Sequence, residues 1–254
     1  MTQTLAAGPQ SGRIAFVTGA SRGIGRSAEL GLAKAGAQVI ACARSKAGLE
    51  ELDDEIFAAT GQHATLIPFD LTDGDSLDRL TSALYERFGR LDVVVHAAGI
   101  LGTLTPVTHV EPKDFDRIVS VNLTTSWRLL RAIEPLLRLS PSGRAIFLTT
   151  SSGVTAGRAF WGAYGATKAA METLVRAWAD EIEITPIRAA LLSPGPMRTK
   201  MRATAFPGED PMSLPHPDEL VPLLLELADG TRVPPKATVS FPDWARAPAT
   251  ALVN

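Results

Sequence analysis

One cysteine, two tyrosines and four histidines are all that this 254-residue chain carries of three chemically versatile residue types. The lone Cys42 excludes an internal disulfide and any cysteine-built zinc site, and its apolar flanks make a buried, inert thiol the ordinary expectation. Charge of one sign is also missing: 25 basic residues against 27 acidic ones leave a formal charge of -2. With no block of like charge, nucleic acid is excluded as a partner on electrostatic grounds. No apolar run approaches the roughly 18 residues needed to cross a bilayer, and the opening MTQTLAAGPQSGR has no long hydrophobic stretch. These absences point to a cytoplasmic protein without a membrane or a metal. Hydrophobic residues at 45% against charged residues at 20% exclude disorder and leave a folded globule.

Short β-branched or apolar runs alternate with helix-length amphipathic segments, the rhythm of βαβ units and a parallel sheet. Strands are expected at 14–18, 38–43, 64–69, 91–96, 144–149, 188–192 and 236–241. Helices are expected at 24–35, 49–60, 76–88, 113–139, 163–182 and 217–228, the fourth breaking near Ser120 to Asn122. The fold class is therefore α/β, a single doubly wound Rossmann-type domain over 13–254, preceded by a loosely held arm over 1–12. The segment from Ser193 to Pro217 holds six prolines among Met197, Met201, Phe206 and Met212. It cannot be one helix, and it reads as a lid over a substrate, about 196–216.

The first strand runs into Thr18-Gly19-Ala20-Ser21-Arg22-Gly23-Ile24-Gly25 and then a helix. Glycines here let backbone approach a pyrophosphate, whose charge the free N–H groups of the helix start receive. The spacing G-x-x-x-G-x-G differs from the commonest dinucleotide fingerprint, and a turn needed only for packing is the competing reading. The second strand ends at Arg44 where an acidic residue would hold the ribose diol of NAD(H). Arg44 and Arg22 instead suit a 2′-phosphate, so NADP(H) is preferred, with NAD(H) left open. Asp70 is positioned to accept from an adenine amino group, or to cap a helix, a task that Asp73 also suits.

Tyr164 and Lys168 share a helix face one turn apart. A phenol is a poor acid at neutral pH, but an adjacent ammonium and a cationic ring favour the phenolate and ease proton transfer. Ser151, thirteen residues before Tyr164, ends the fifth strand within reach of the same carbonyl oxygen.

Taken together, Thr18 to Gly25, Asn122, Ser151, Tyr164-x-x-x-Lys168 and Pro194-Gly195-x-x-x-Thr199 resemble the short-chain dehydrogenase/reductase family over roughly residues 12 to 242. Arg158-x-x-Trp161-Gly162-Ala163-Tyr164 and Met201 to Pro207 resemble its bacterial YciK-like subgroup. The resemblance implies Tyr164 as general acid, Lys168 on the nicotinamide ribose, Ser151 on the substrate carbonyl and Asn122 holding a water that resupplies protons. It implies further cofactor contacts from Leu71, Ala98, Gly99, Pro194, Gly195 and Thr199, and a homodimer or homotetramer built on the helices around Trp127 and after Ala163. The chain departs from the family's Asn-Asn-Ala-Gly in reading His96-Ala97-Ala98-Gly99, with His96 expected to be structural. The expected activity is NADPH-dependent reduction of a carbonyl, a 3-oxoacyl thioester or a related ketone being candidate substrates. An NAD-dependent alcohol dehydrogenase and a non-catalytic nucleotide sensor or scaffold are the alternatives. An apolar cleft lined by 102–107, 154–161, Met197, Met201 and Phe206 suits a medium-sized carbonyl.

Overall fold

The computed structural model describes residues 8–229 and 238–247. Its strands are β1 (Ile14–Thr18), β2 (Gln38–Ala43), β3 (Thr65–Pro68), β4 (Val93–His96), β5 (Arg144–Leu148), β6 (Arg188–Ser193) and β7 (Thr238–Ser240). The expected strand over 236–241 begins two residues earlier, at Lys236 and Ala237, which lie outside the described residues, as do residues 1–7 of the expected arm. All strands pair in parallel, in the order β3-β2-β1-β4-β5-β6-β7. Buried on both faces, β1 and β4 read as unbroken apolar runs, IAFVT and VVVH, with no alternation.

The helices are α1 (Gly23–Lys34), α2 (Lys46–Thr60), α3 (Gly74–Phe88), α4 (Pro112–Val119), α5 (Thr125–Arg138), α6 (Ser152–Thr155), α7 (Gly162–Glu181), α8 (Lys200–Ala205), α9 (Val221–Asp229) and α10 (Phe241–Arg246). One apolar layer packs α1, α2 and α9 on the sheet, and a second packs α3, α5 and α7 on the other face. On α7, Met171 and Trp178 are buried in the second layer, and Trp178 Nε1 donates to Glu134. Residues at the end of the expected arm are tied down: Gln10 is buried and its N–H donates to Ala35 O.

The expected break near Ser120 to Asn122 takes the form of a π-turn over Ser120–Thr124, one widened turn that joins α4 to α5 without ending the helix. The widening lets Asn122 turn inward, where it is buried. The proline-rich segment contains α8 and a single 3-10 turn, Pro211–Ser213.

The sequence order reverses between β1 and β4, so the crevice beyond their C-terminal ends is where this architecture receives a ligand. One residue fits its buried surroundings poorly. Glu29, on α1, is fully buried, and neither carboxylate oxygen has a hydrogen-bond partner. Burial pushes its carboxyl well above the ordinary carboxylate range, because ionising it there costs more than keeping the proton.

The unfolded chain loses this proton first as pH rises, so wild-type stability falls from the ordinary carboxylate range upward until the folded group itself ionises. Glu29→Gln removes the titration. Its stability advantage over wild type, measured by urea unfolding, should be smallest at and below about pH 4.5 and grow as the pH is raised above it; an advantage independent of pH would show that Glu29 is not held protonated by the fold.

Candidate active site

Gly19 leaves β1 with φ +72, and a Cβ on it would lie 2.8 Å from Ala98 N. Only glycine satisfies both the left-handed backbone and that close approach, so the turn lies flat against the end of β4. Gly23 opens α1 with φ +55, and a Cβ there would meet Thr199 Cγ2 at 3.5 Å. The glycine turn and the Pro194 to Thr199 loop therefore face each other across a narrow gap. Thr199 caps α8, its hydroxyl accepting from Arg202 N at 3.1 Å. Such a cradle of bare backbone at a helix start fits a dinucleotide pyrophosphate.

Arg22 precedes α1 and Arg44 follows β2, and both side chains are exposed. Ser21 packs beside Gly48 at the start of α2, where a Cβ on Gly48 would lie 3.0 Å from Ser21 Cβ, which brings the two arginine-bearing segments to one rim. Asp70 Oδ1 accepts from the N–H and hydroxyl of Thr72, bonds that hold its carboxyl below the usual range. Asp73, not Asp70, caps α3, accepting from Ser76 N. Leu71 between them is buried.

Tyr164 and Lys168 lie on the buried face of α7. Lys168 Nζ donates to Leu148 O at 2.8 Å, and burial lowers its pKa to about 8 despite the opposing charge of Glu172. It keeps its proton at neutral pH. Asn122 Oδ1 accepts from Ile100 N, and Nδ2 donates to Ile100 O and Thr167 Oγ1. Gly99 lies between these groups: a Cβ on it would be 3.4 Å from Asn122 Oδ1 and 3.7 Å from Lys168 Nζ.

Burial raises the Tyr164 phenol to about 12, a hydrogen bond with the Thr150 side chain opposes that rise, and the Lys168 ammonium is bonded to the Leu148 carbonyl. One expectation needs correction. Met197 does not line the cleft but is buried in the layer of α1 and α9. Ser151 is exposed and precedes α6 without a side-chain capping bond, so it is Thr150, one residue earlier and unnoticed in the sequence, whose side chain bonds Tyr164.

His96 is buried between Thr18 Oγ1 at 2.8 Å from Nδ1 and Ser126 Oγ at 3.0 Å from Nε2. Ser126 spends its proton on Asn122 O, so it accepts from Nε2–H, and Nδ1 accepts from Thr18. Burial and the Lys168 charge hold His96 near a pKa of about 3, neutral throughout the physiological range. Sequence reading also missed Thr149 and Glu172, whose buried hydrogen bond of 2.6 Å links β5 to α7 one turn beyond Lys168. Spacing alone gives no sign of either. Among the described residues no group of three or more histidine, cysteine or acidic side chains is arranged to hold a metal, and no helix is long and apolar enough to cross a membrane.

A profile of the short chain dehydrogenase family matches residues 13–210. The chain is 38% identical over 217 residues to the uncharacterized oxidoreductase YciK of Escherichia coli K12, covering 85% of each chain. It is 33% identical over 214 residues to a chloroplastic NADPH-dependent aldehyde reductase-like protein of Arabidopsis thaliana, covering 80% of this chain and 78% of that one. A short chain dehydrogenase from Escherichia coli CFT073, solved in complex with NADPH, superposes with a TM-score of 0.88 at 35% identity, covering 92% of this chain and 98% of the other.

Because the chain holds two tyrosines, Tyr85→Phe leaves Tyr164 as the only phenol. Its absorbance at 295 nm, read in a rapid pH jump before alkaline unfolding, should stay mostly that of the neutral phenol at about pH 11 in the folded protein and show the ordinary titration near 10 in guanidinium. Adding Thr150→Val should raise the folded value further. A folded phenol that ionises at or below its unfolded value would contradict the burial argument.

Proposed function

The chain belongs to the short-chain dehydrogenase family and is an NAD(P)-dependent oxidoreductase, and we propose that it reduces a ketone or aldehyde to an alcohol with NADPH. The observation that carries this reading is the convergence of Lys168 and Asn122 on Gly99, beside the glycine cradle, with Tyr164 one turn before Lys168 on the same buried face of α7. Bound in that cradle, a nicotinamide supplies the hydride.

The residues of this chain then supply position and a proton. The backbone of Gly19 to Gly25 receives the pyrophosphate, with Ser21 and Ile24 in the same turn. Asp70 and Leu71 flank the adenine, Ala98 and Gly99 leave room for the adenosine ribose, and Pro194, Gly195 and Thr199 hold the carboxamide. Arg22 and Arg44 take the 2′-phosphate through charge-assisted hydrogen bonds.

Ser151, exposed beside the cleft, polarises the substrate carbonyl, and Tyr164 gives its proton to the oxygen as charge develops there. A phenol raised by burial suits the donor role, since it holds its proton until the alkoxide forms. Lys168 stabilises the resulting phenolate, and Asn122 holds the water through which the proton is replaced. The same reading includes a homodimer or homotetramer in the cytoplasm, built on α5 and α7, where Trp127 remains 44% exposed in the single chain.

The test is NADPH oxidation followed at 340 nm across ketones, aldehydes, quinones and 3-oxoacyl thioesters. Turnover should fall by about 100-fold or more in Tyr164→Phe, the order expected for loss of a general acid; turnover that survives the substitution would remove Tyr164 from the chemistry. Arg44→Ala should raise the KM for NADPH by about tenfold or more and leave that for NADH nearly unchanged, and equal effects on both cofactors would remove its phosphate role.

A further inference from the structure

The segment joining α6 to α7 contains the only non-glycine residue with positive φ among the described residues, Phe160 at φ 70, with its ring 58% exposed. Backbone held in that region costs energy and is retained where it aims a neighbouring side chain. Here the turn brings Arg158 back over the residue that follows it. Its guanidinium carbon lies 5.5 Å from the centre of the Trp161 ring and 5.6 Å from that of Phe206. The two rings are 5.8 Å apart, and Trp161 meets Tyr164 edge-on at 5.9 Å. Arg158 is thus held one aromatic ring away from the proposed proton donor.

A second guanidinium shares Phe206, and the contrast between the two is informative. Arg202 lies 3.7 Å from the Phe206 ring centre and makes two hydrogen bonds to Glu209, at 2.6 and 2.7 Å. Its charge is answered within the chain. Arg158 has only its two aromatic contacts among the described residues, with no carboxylate paired to it, and it is exposed. The rings hold the flat face of the guanidinium and reduce the rotamer freedom lost on binding, while leaving its N–H edges for an acceptor. That acceptor is not the cofactor 2′-phosphate, which Arg22 and Arg44 face on the far side of β1.

We propose that Arg158, seated on Trp161 and Phe206, is the anchor for an anionic group of the substrate, so that the enzyme selects carbonyl compounds bearing a carboxylate one ring-sized apolar spacer from the reacting carbonyl. This rests on the carbonyl-reductase reading and narrows it. The spacer lies along the edge of the aromatic pair, the carboxylate takes the guanidinium edge, and the carbonyl reaches Tyr164.

The probes are 4-formylbenzoate and its methyl ester, matched in ring and aldehyde and different in charge. Wild type should show a kcat/KM for the acid at least about tenfold above the ester, the size of one hydrogen bond to a charged group. Arg158→Gln should bring the ratio towards one through KM for the acid, and Arg158→Lys should recover part of it. Calorimetric titration of both probes into the NADPH complex of Tyr164→Phe reads the subsite without turnover, and the acid should bind about tenfold more tightly until Arg158→Gln is added. A ratio near one in wild type, or a preference untouched by Arg158→Gln, overturns the anion anchor. Loss of turnover on every carbonyl with the calorimetric preference intact overturns the reductase reading instead and leaves the subsite standing.

Discussion

The glycine turn after β1 and the buried face of α7 are held together by one buried line of hydrogen bonds, running from Ala98 N through Thr18, His96 and Ser126 to the backbone of Asn122. Each hydroxyl both donates and accepts, and the neutral imidazole passes the direction on. Asn122 continues the line through Thr167 to the carbonyl of Tyr164. A buried polar chain of this kind specifies geometry only when all its members are satisfied, and here the tautomer of His96 is fixed by the bonds on either side. The family's asparagine is absent at His96, and an imidazole spans the gap between β1 and α5 in its place.

Burial favours the uncharged form of Lys168, His96 and Tyr164 around this line. It drives Lys168 to about 8 and His96 to about 3, and it lifts Tyr164 to about 12. Glu172 opposes the effect at Lys168, and a Thr150 hydrogen bond opposes it at Tyr164. Glu29 has no such counterweight, because the layer of α1, α2 and α9 around it is apolar. The same physics thus holds the Tyr164 phenol protonated on one face of the sheet and introduces a liability on the other.

The strand and helix order was legible from residue pattern because parallel strands buried on both faces must be apolar and short, and their crossover helices must be amphipathic. β1 and β2 were readable to the residue, while β3 and β4 proved shorter than their apolar runs. The disagreement is greatest where a side chain's direction decides its role. Met197 follows the sixth strand in a proline-rich loop and reads as lid, yet it turns into the core. Thr150 and Ser151 are adjacent hydroxyls whose difference lies only in the path of the chain between β5 and α6.

Sequence by itself determined the α/β class, the glycine turn before α1, the Tyr164 and Lys168 pair one helical turn apart, and the absence of an acidic residue after β2. These are matters of local spacing, which covalent geometry and helix or strand periodicity settle without knowledge of distant partners. Tertiary structure alone decided that His96 joins Thr18 to Ser126, that a π-turn brings Asn122 inward, that burial raises the Tyr164 phenol, and that Arg202 is paired while Arg158 is not. Each of these depends on which groups meet across long stretches of chain and how much water remains beside them, and neither is encoded in any single window of residues.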